Sequence, residues 1–158
     1  SYGELNFFVG RTYYSDPRKY KHGEFDKDII FNDLLVDWTK PIIITEGPFD
    51  AMKAGTNSIP LQGNNILTDS LLFKRILFEG KPVYFALDID AMKQQLKIIK
   101  KFQRYGSECM LIDLGGRKDP GDMSKEEFRK CYDGASRLGP SDLLRIAVRA
   151  GVKIGSIH

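Results

Sequence analysis

Three uninterrupted apolar runs punctuate the chain: Pro41–Glu46 (PIIITE), Val83–Asp88 (VYFALD) and Glu108–Leu114 (ECMLIDL). None alternates with polar residues as a half-exposed strand does, so each predicts a strand covered on both faces, the habit of a parallel sheet between helices. Between the runs the period changes. Met92, Leu96, Ile99 and Phe102 recur at helical spacing across Ala91–Tyr105, and Gly106 is placed to end that helix. Asp69–Leu77 predicts a second helix, a shorter one begins after Gly47 and runs through Asp50 to Ala54, and Ile59–Leu61 predicts a short strand. The order β-α-β-α-β-α-β requires right-handed crossovers and gives a doubly wound α/β layer architecture.

The flanks read differently. Residues 1–40 are polar and turn-rich around Gly10, Arg11, Pro17, Arg18, Lys19 and Tyr20, and predict an N-terminal extension or part of a neighbouring subdomain. After Met123 two short helices are expected, separated by Gly134–Pro140, with Pro140 and Ser141 opening the second. The expected division is therefore 1–40, 41–130 and a helical tail over 131–158.

Composition narrows the class. A chain of 158 residues, 42% hydrophobic, can bury one principal core. No run approaches the roughly 20 apolar residues of a membrane helix. The start SYGELNFFVGR lacks the basic head and apolar run of a secretory signal. A soluble, intracellular protein with no membrane partner is expected. Cys109 and Cys131 stand far apart without a second pair, which argues against a disulfide framework or a zinc knuckle. The net charge of +3 decides little, but its distribution is uneven: residues 91–130 hold ten Lys/Arg against six Asp/Glu, whereas residues 1–40 hold six against seven. On the 91–105 helix, Lys93, Lys97, Lys100, Lys101 and Arg104 are either a phosphate-attracting patch or the solvated face of an amphipathic helix.

Candidate chemistry gathers where the predicted strands end. Glu46 closes a run of three isoleucines and is followed at once by Gly47, with Asp50 four residues on. In an open α/β sheet the carboxyl ends of strands line the ligand crevice. The alternative is a solvated strand-end glutamate with Asp50 as a helix cap. Asp88 and Asp90 follow the second long strand in i, i+2 register, so in extended chain they project to one side and could chelate a hard cation that offsets their repulsion. A helix cap at Asp90 would explain that residue and leave Asp88 unexplained. Arg117-Lys118-Asp119-Pro120-Gly121-Asp122 follows the third long strand. A sparse carboxylate set without histidines suits Mg²⁺ or Mn²⁺, which keep water and substrate phosphates as partners. Tyr13, Tyr14 and Tyr20 among Arg11, Arg18 and Lys19 form an aromatic-basic candidate for single-strand contacts, or else an ordinary loop with half-buried tyrosines.

Glu-Gly-Pro-Phe-Asp-Ala at 46–51, the Asp88/Asp90 pair after VYFAL, and Lys-Asp-Pro-Gly-Asp at 118–122 together resemble the TOPRIM domain of DNA primases, topoisomerases and several nucleases. The resemblance spans roughly Pro41 to Lys130. Gly10-Arg11 and Pro17-Arg18-Lys19-Tyr20 resemble segments upstream of the TOPRIM glutamate in primases of the bacterial and phage type. This likeness implies a TOPRIM-like parallel sheet with flanking helices and metal-dependent nucleotidyl transfer in RNA primer synthesis on single-stranded DNA. It implies catalytic residues Glu46, Asp88 and Asp90, with Asp119 and Asp122 as further metal ligands. Arg11, Lys19, Tyr20 and Asp50 would line the nucleotide or template side. Nucleoside triphosphates and a single-stranded template are the implied partners, with a replicative helicase reached through regions outside this sequence. One departure stands out: Gly121 occupies the place of the second aspartate in the usual Asp-Pro-Asp, and Asp122 follows one residue later. The cysteine-rich zinc-binding module of such primases is not in this sequence. A TOPRIM nuclease and a non-catalytic single-strand-binding module are the rival readings.

Overall fold

The computed structural model describes residues 8–12, 14, 20–22, 28–55, 57–61, 66–86, 92–116 and 119–149. Its centre is a five-stranded sheet built on β3 (Ile42–Thr45), all four of whose residues are buried. β3 pairs in parallel with β4 (Ser58–Pro60) on one side and β5 (Val83–Ala86) on the other, and β5 pairs in parallel with β6 (Cys109–Leu111). Apolarity without alternation follows from this placement. Ile42, Ile44, Val83 and Phe85 pack into one hydrophobic cluster, while Ile43 and Ala86 belong to another. Pro60, which has no N–H to give, lies on an edge strand, where a ladder donor is least needed.

Helices cover both faces. α2 (Leu71–Glu79) and α3 (Met92–Arg104) supply Leu72, Phe73, Ile76, Leu96, Ile98, Ile99 and Phe102 to the larger cluster. Within it the Phe73 and Phe102 rings lie 4.7 Å apart and Phe85 and Phe102 5.9 Å apart, the tilted contacts aromatic rings favour. Opposite, α1 (Pro48–Ala54) and α4 (Lys125–Asp133) close the smaller cluster through Ala54, Phe128 and Tyr132. The mixed α/β, mostly parallel sheet with flanking helices is thus the expected fold class. On α3, Lys97 and Arg104 are exposed, whereas the Lys101 ammonium donates to the Ile66 carbonyl.

The residues beyond 130 add to this core. Ser136–Arg137 forms β7, antiparallel to β6 and on the sheet edge, inside the stretch the sequence predicts as a plain linker. Leu138 follows it into the larger cluster, joined by Leu143 and Ala147 of α5 (Pro140–Arg149). Before the sheet, Val36 and Trp38 enter the same cluster; the Trp38 indole N–H donates to Asp33 at 2.9 Å and the Arg75 guanidinium lies 5.1 Å over its ring. Val9–Arg11 (β1) and Tyr20–His22 (β2) form a separate antiparallel ribbon in which Arg11 and Tyr20 are register partners.

Candidate active site at the carboxyl edge of the sheet

The strand order β4-β3-β5-β6-β7 places consecutive strands β3 and β4 side by side, then carries the chain back across β3 to β5. The two crossovers run over opposite faces, through α1 and α2. This reversal opens a crevice past the carboxyl ends of β3 and β5, where ligands of doubly wound sheets bind. Thr45 and Ala86 are paired at that edge, and Glu46 is the next residue out from β3. Glu46 is exposed; Thr45 beneath it is fully buried and its hydroxyl donates to the Gly47 carbonyl at 3.2 Å. Asp88 and Asp90, two and four residues past Ala86, lie outside the described residues, as do Lys19 and Lys118.

Asp50 does two things here. Its Oδ2 accepts the Gly47 N–H at 3.0 Å, tying the first turn of α1 to the strand end. Its Oδ1 turns to the segment after β6, where Pro120–Asp122 forms a 3₁₀ turn capped by Asp119. The cap is an Asp122 N–H donating to Asp119 Oδ1 at 3.1 Å, and Asp122 itself is exposed. Gly121 is the meeting point. A Cβ there would stand 2.8 Å from Asp119 Oδ1 and 3.2 Å from Asp50 Oδ1. No left-handed backbone angle requires glycine at this position; space does. The missing aspartate at 121 and the convergence of Asp50 with Asp119 are therefore one feature.

The structure brings Glu46, Asp50, Asp119 and Asp122 to one edge, and pairs Arg11 with Tyr20 in the ribbon. Glu46, Asp50 and Asp119 offer only carboxylate oxygen, the donor of hard divalent cations. Among the described residues no three His, Cys, Asp or Glu groups come close enough to hold a metal ion, so a cation here would also need ligands from 87–90. Neither cysteine belongs to this edge: burial, with Glu108 alongside, pushes the Cys109 thiol up to about 12, and Cys131 packs against the smaller cluster. The part of the site that local sequence patterns miss is the contact of Asp50 with the Gly121 turn, whose one signal is a glycine without a conformational need.

No protein-family model and no curated protein matches the chain. A solved structure does. The crystal structure of the Aquifex aeolicus primase, comprising its zinc-binding and RNA polymerase domains, superimposes with a TM-score of 0.67 at 21% identity. The match covers 97% of this chain and 45% of that one, so the chain spans less than half the length of the primase it resembles. The fold is primase-like. Among the described residues no helix is long and apolar enough to cross a membrane.

Proposed function

We propose that the chain carries the metal-binding centre of a TOPRIM-type primase core, acting in template-directed RNA primer synthesis from nucleoside triphosphates. The observation that carries this reading is the placement of Glu46 at the carboxyl end of β3, where the strand order reverses toward β5, with Asp50 and Asp119 converging around Gly121 at the same edge. Likeness to the Aquifex primase supports the same direction. Carboxylate oxygens gathered at one strand edge are the donors that hard divalent cations take.

In this reading Glu46, Asp88, Asp90 and Asp119 hold Mg²⁺ or Mn²⁺, which supplies charge neutralisation at the reacting phosphate and lowers the pKa of the attacking hydroxyl. The chain's own groups do the positioning. Asp50 locks Gly47 and so fixes the direction in which Glu46 leaves the sheet. Asp119 shapes the turn that brings Asp122 to the same edge. Arg11 and Tyr20, register partners in the ribbon, and Lys19, which precedes Tyr20 in the sequence, supply cation and ring for a nucleotide or single strand. A replicative helicase remains a partner through other segments.

The test is direct incubation of the chain with single-stranded DNA, labelled nucleoside triphosphates and Mg²⁺ or Mn²⁺, with products separated by length. Short labelled RNA is the expected product. Cleavage of the polynucleotide without incorporation would make the chain a nuclease, and metal-independent strand binding with no turnover would make it a binding module.

A further inference from the structure

On the face covered by α1 and α4, at the end of the sheet opposite Glu46, lies a groove of about 610 Å³. Four cations line it: Lys40 before β3, Lys53 in the last turn of α1, and Lys125 and Arg129 on α4. Among the described residues no carboxylate lines it. Lys40 and Arg129 are each held from the rim, by Asp37 at 2.7 Å and Asp133 at 3.0 Å. Lys53 and Lys125 form no ion pair among the described residues. They come from the two helices that line it, Lys53 from α1 and Lys125 from α4. Between them the floor is apolar, made by Pro41, Ile43, Met52, Phe128 and Tyr132. We infer that this groove docks an acidic peptide segment bearing large apolar side chains, supplied by a partner protein.

Charge complementarity sets the sign of the occupant, since a groove lined by four cations, two of them without an ion pair among the described residues, favours an anion. The floor sets its class. A nucleic-acid strand would need free aromatic faces for its bases, and here they are taken. Phe128 is 4% exposed. Tyr132 is stacked on Tyr84, ring centroids 4.7 Å apart, with the Arg129 guanidinium 5.5 Å from its ring. What remains open on the groove lining is the flexible thioether of Met52. Met52 is 68% exposed. Methionine is the side chain that adapts most readily to an apolar guest. The volume is that of sites enclosing a small ligand, room for a few anchoring side chains. Because the groove opens at the amino edge of β3, a docked segment leaves the carboxyl edge clear, and the inference stands whether or not the primase reading does.

The experiment uses the full chain and a fluorescein-labelled short peptide of glutamates flanking a Leu-Phe-Leu centre, followed by anisotropy. Saturable binding is expected, weakened about tenfold or more by Lys53→Glu combined with Lys125→Glu, and weakened less by the corresponding glutamine pair. Peptides with glutamine for glutamate, or serine for the apolar centre, should bind weakly. In methyl NMR the Met52 signal, identified by Met52→Leu, should shift on titration. Failure of the parent to bind, equal affinity for the charge-reversed chain, or a stationary Met52 methyl would overturn the inference. So would an oligothymidylate that binds in the peptide's place with the same dependence on Lys53 and Lys125, which would assign the groove to nucleic acid.

Discussion

The two ends of the parallel sheet are chemical opposites. At the carboxyl edge Glu46 is exposed and the Asp50 and Asp119 carboxylates converge around Gly121. At the amino edge Lys40, Lys53, Lys125 and Arg129 surround an apolar floor. The seven-residue helix α1 serves both, with Asp50 in its first turn and Lys53 in its last. That arrangement also follows the helix dipole, which favours acid at the start and base at the end. The contrast teaches that the parallel strands β3, β4, β5 and β6 can separate two surfaces of opposite charge by their common direction. Each surface should then fail independently of the other.

Four changes would break or sharpen that separation. Glu46→Gln should lower nucleotide incorporation by about a hundredfold or more, since a hard cation loses an anionic ligand. Single-turnover rates at saturating metal check it, because there a mere loss of affinity is masked. The melt and the binding at the amino-edge groove should not change. Asp119→Ala should cost less in rate, and it also removes a turn cap, about 1 kcal/mol of stability by denaturant titration. Gly121→Ala acts on the same turn from the other side. Its Cβ must displace the Asp119 or Asp50 carboxylate, so a several-fold loss of rate with a small drop in melting temperature is expected. Asp122→Ala should have the smallest effect on rate; if Asp122 proved indispensable and Asp119 dispensable, the ligand roles in this segment would be reversed.

Burial offers a check on the middle of the molecule, between the two edges. Cys109 is buried with its thiol held up to about 12, whereas Cys131 is half-buried at the smaller cluster. Iodoacetamide at mildly alkaline pH should label Cys131 first and Cys109 only on unfolding, read by mass spectrometry. A group whose native pKa is raised adds stability that is complete below its unfolded value and is lost as pH rises. For Cys109 that loss belongs to the window from its ordinary value of 9.0 up to about 12.

The three long apolar runs were readable as doubly covered strands because β3, β5 and β6 do lie between two helical layers, with side chains buried alternately in the two clusters. The 91–105 helix was readable for a related reason: its apolar stripe faces the larger cluster. β7 was not. Ser136 and Arg137 are both exposed, bounded by glycines and a proline, and become a strand only through pairing with Met110 and Leu111. Nothing local specifies it. Glu46 and Asp50 could be picked out from their place at the end of an apolar run. The approach of Asp50 to Asp119 could not, because it is a contact between distant segments whose single trace is Gly121. Asp88, Asp90 and Lys19 lie outside the described residues, so their roles rest on the sequence pattern.

The central claim is that the carboxyl edge holds a divalent cation with Asp88 among its ligands. Thermal melts of the parent chain and Asp88→Asn, each with and without Mg²⁺ or Mn²⁺, test it most directly. An ion that binds the native state alone raises its melting temperature. The account predicts a metal-dependent rise for the parent and little or none for Asp88→Asn. The same response to metal in both proteins, whether a rise or none, would contradict it.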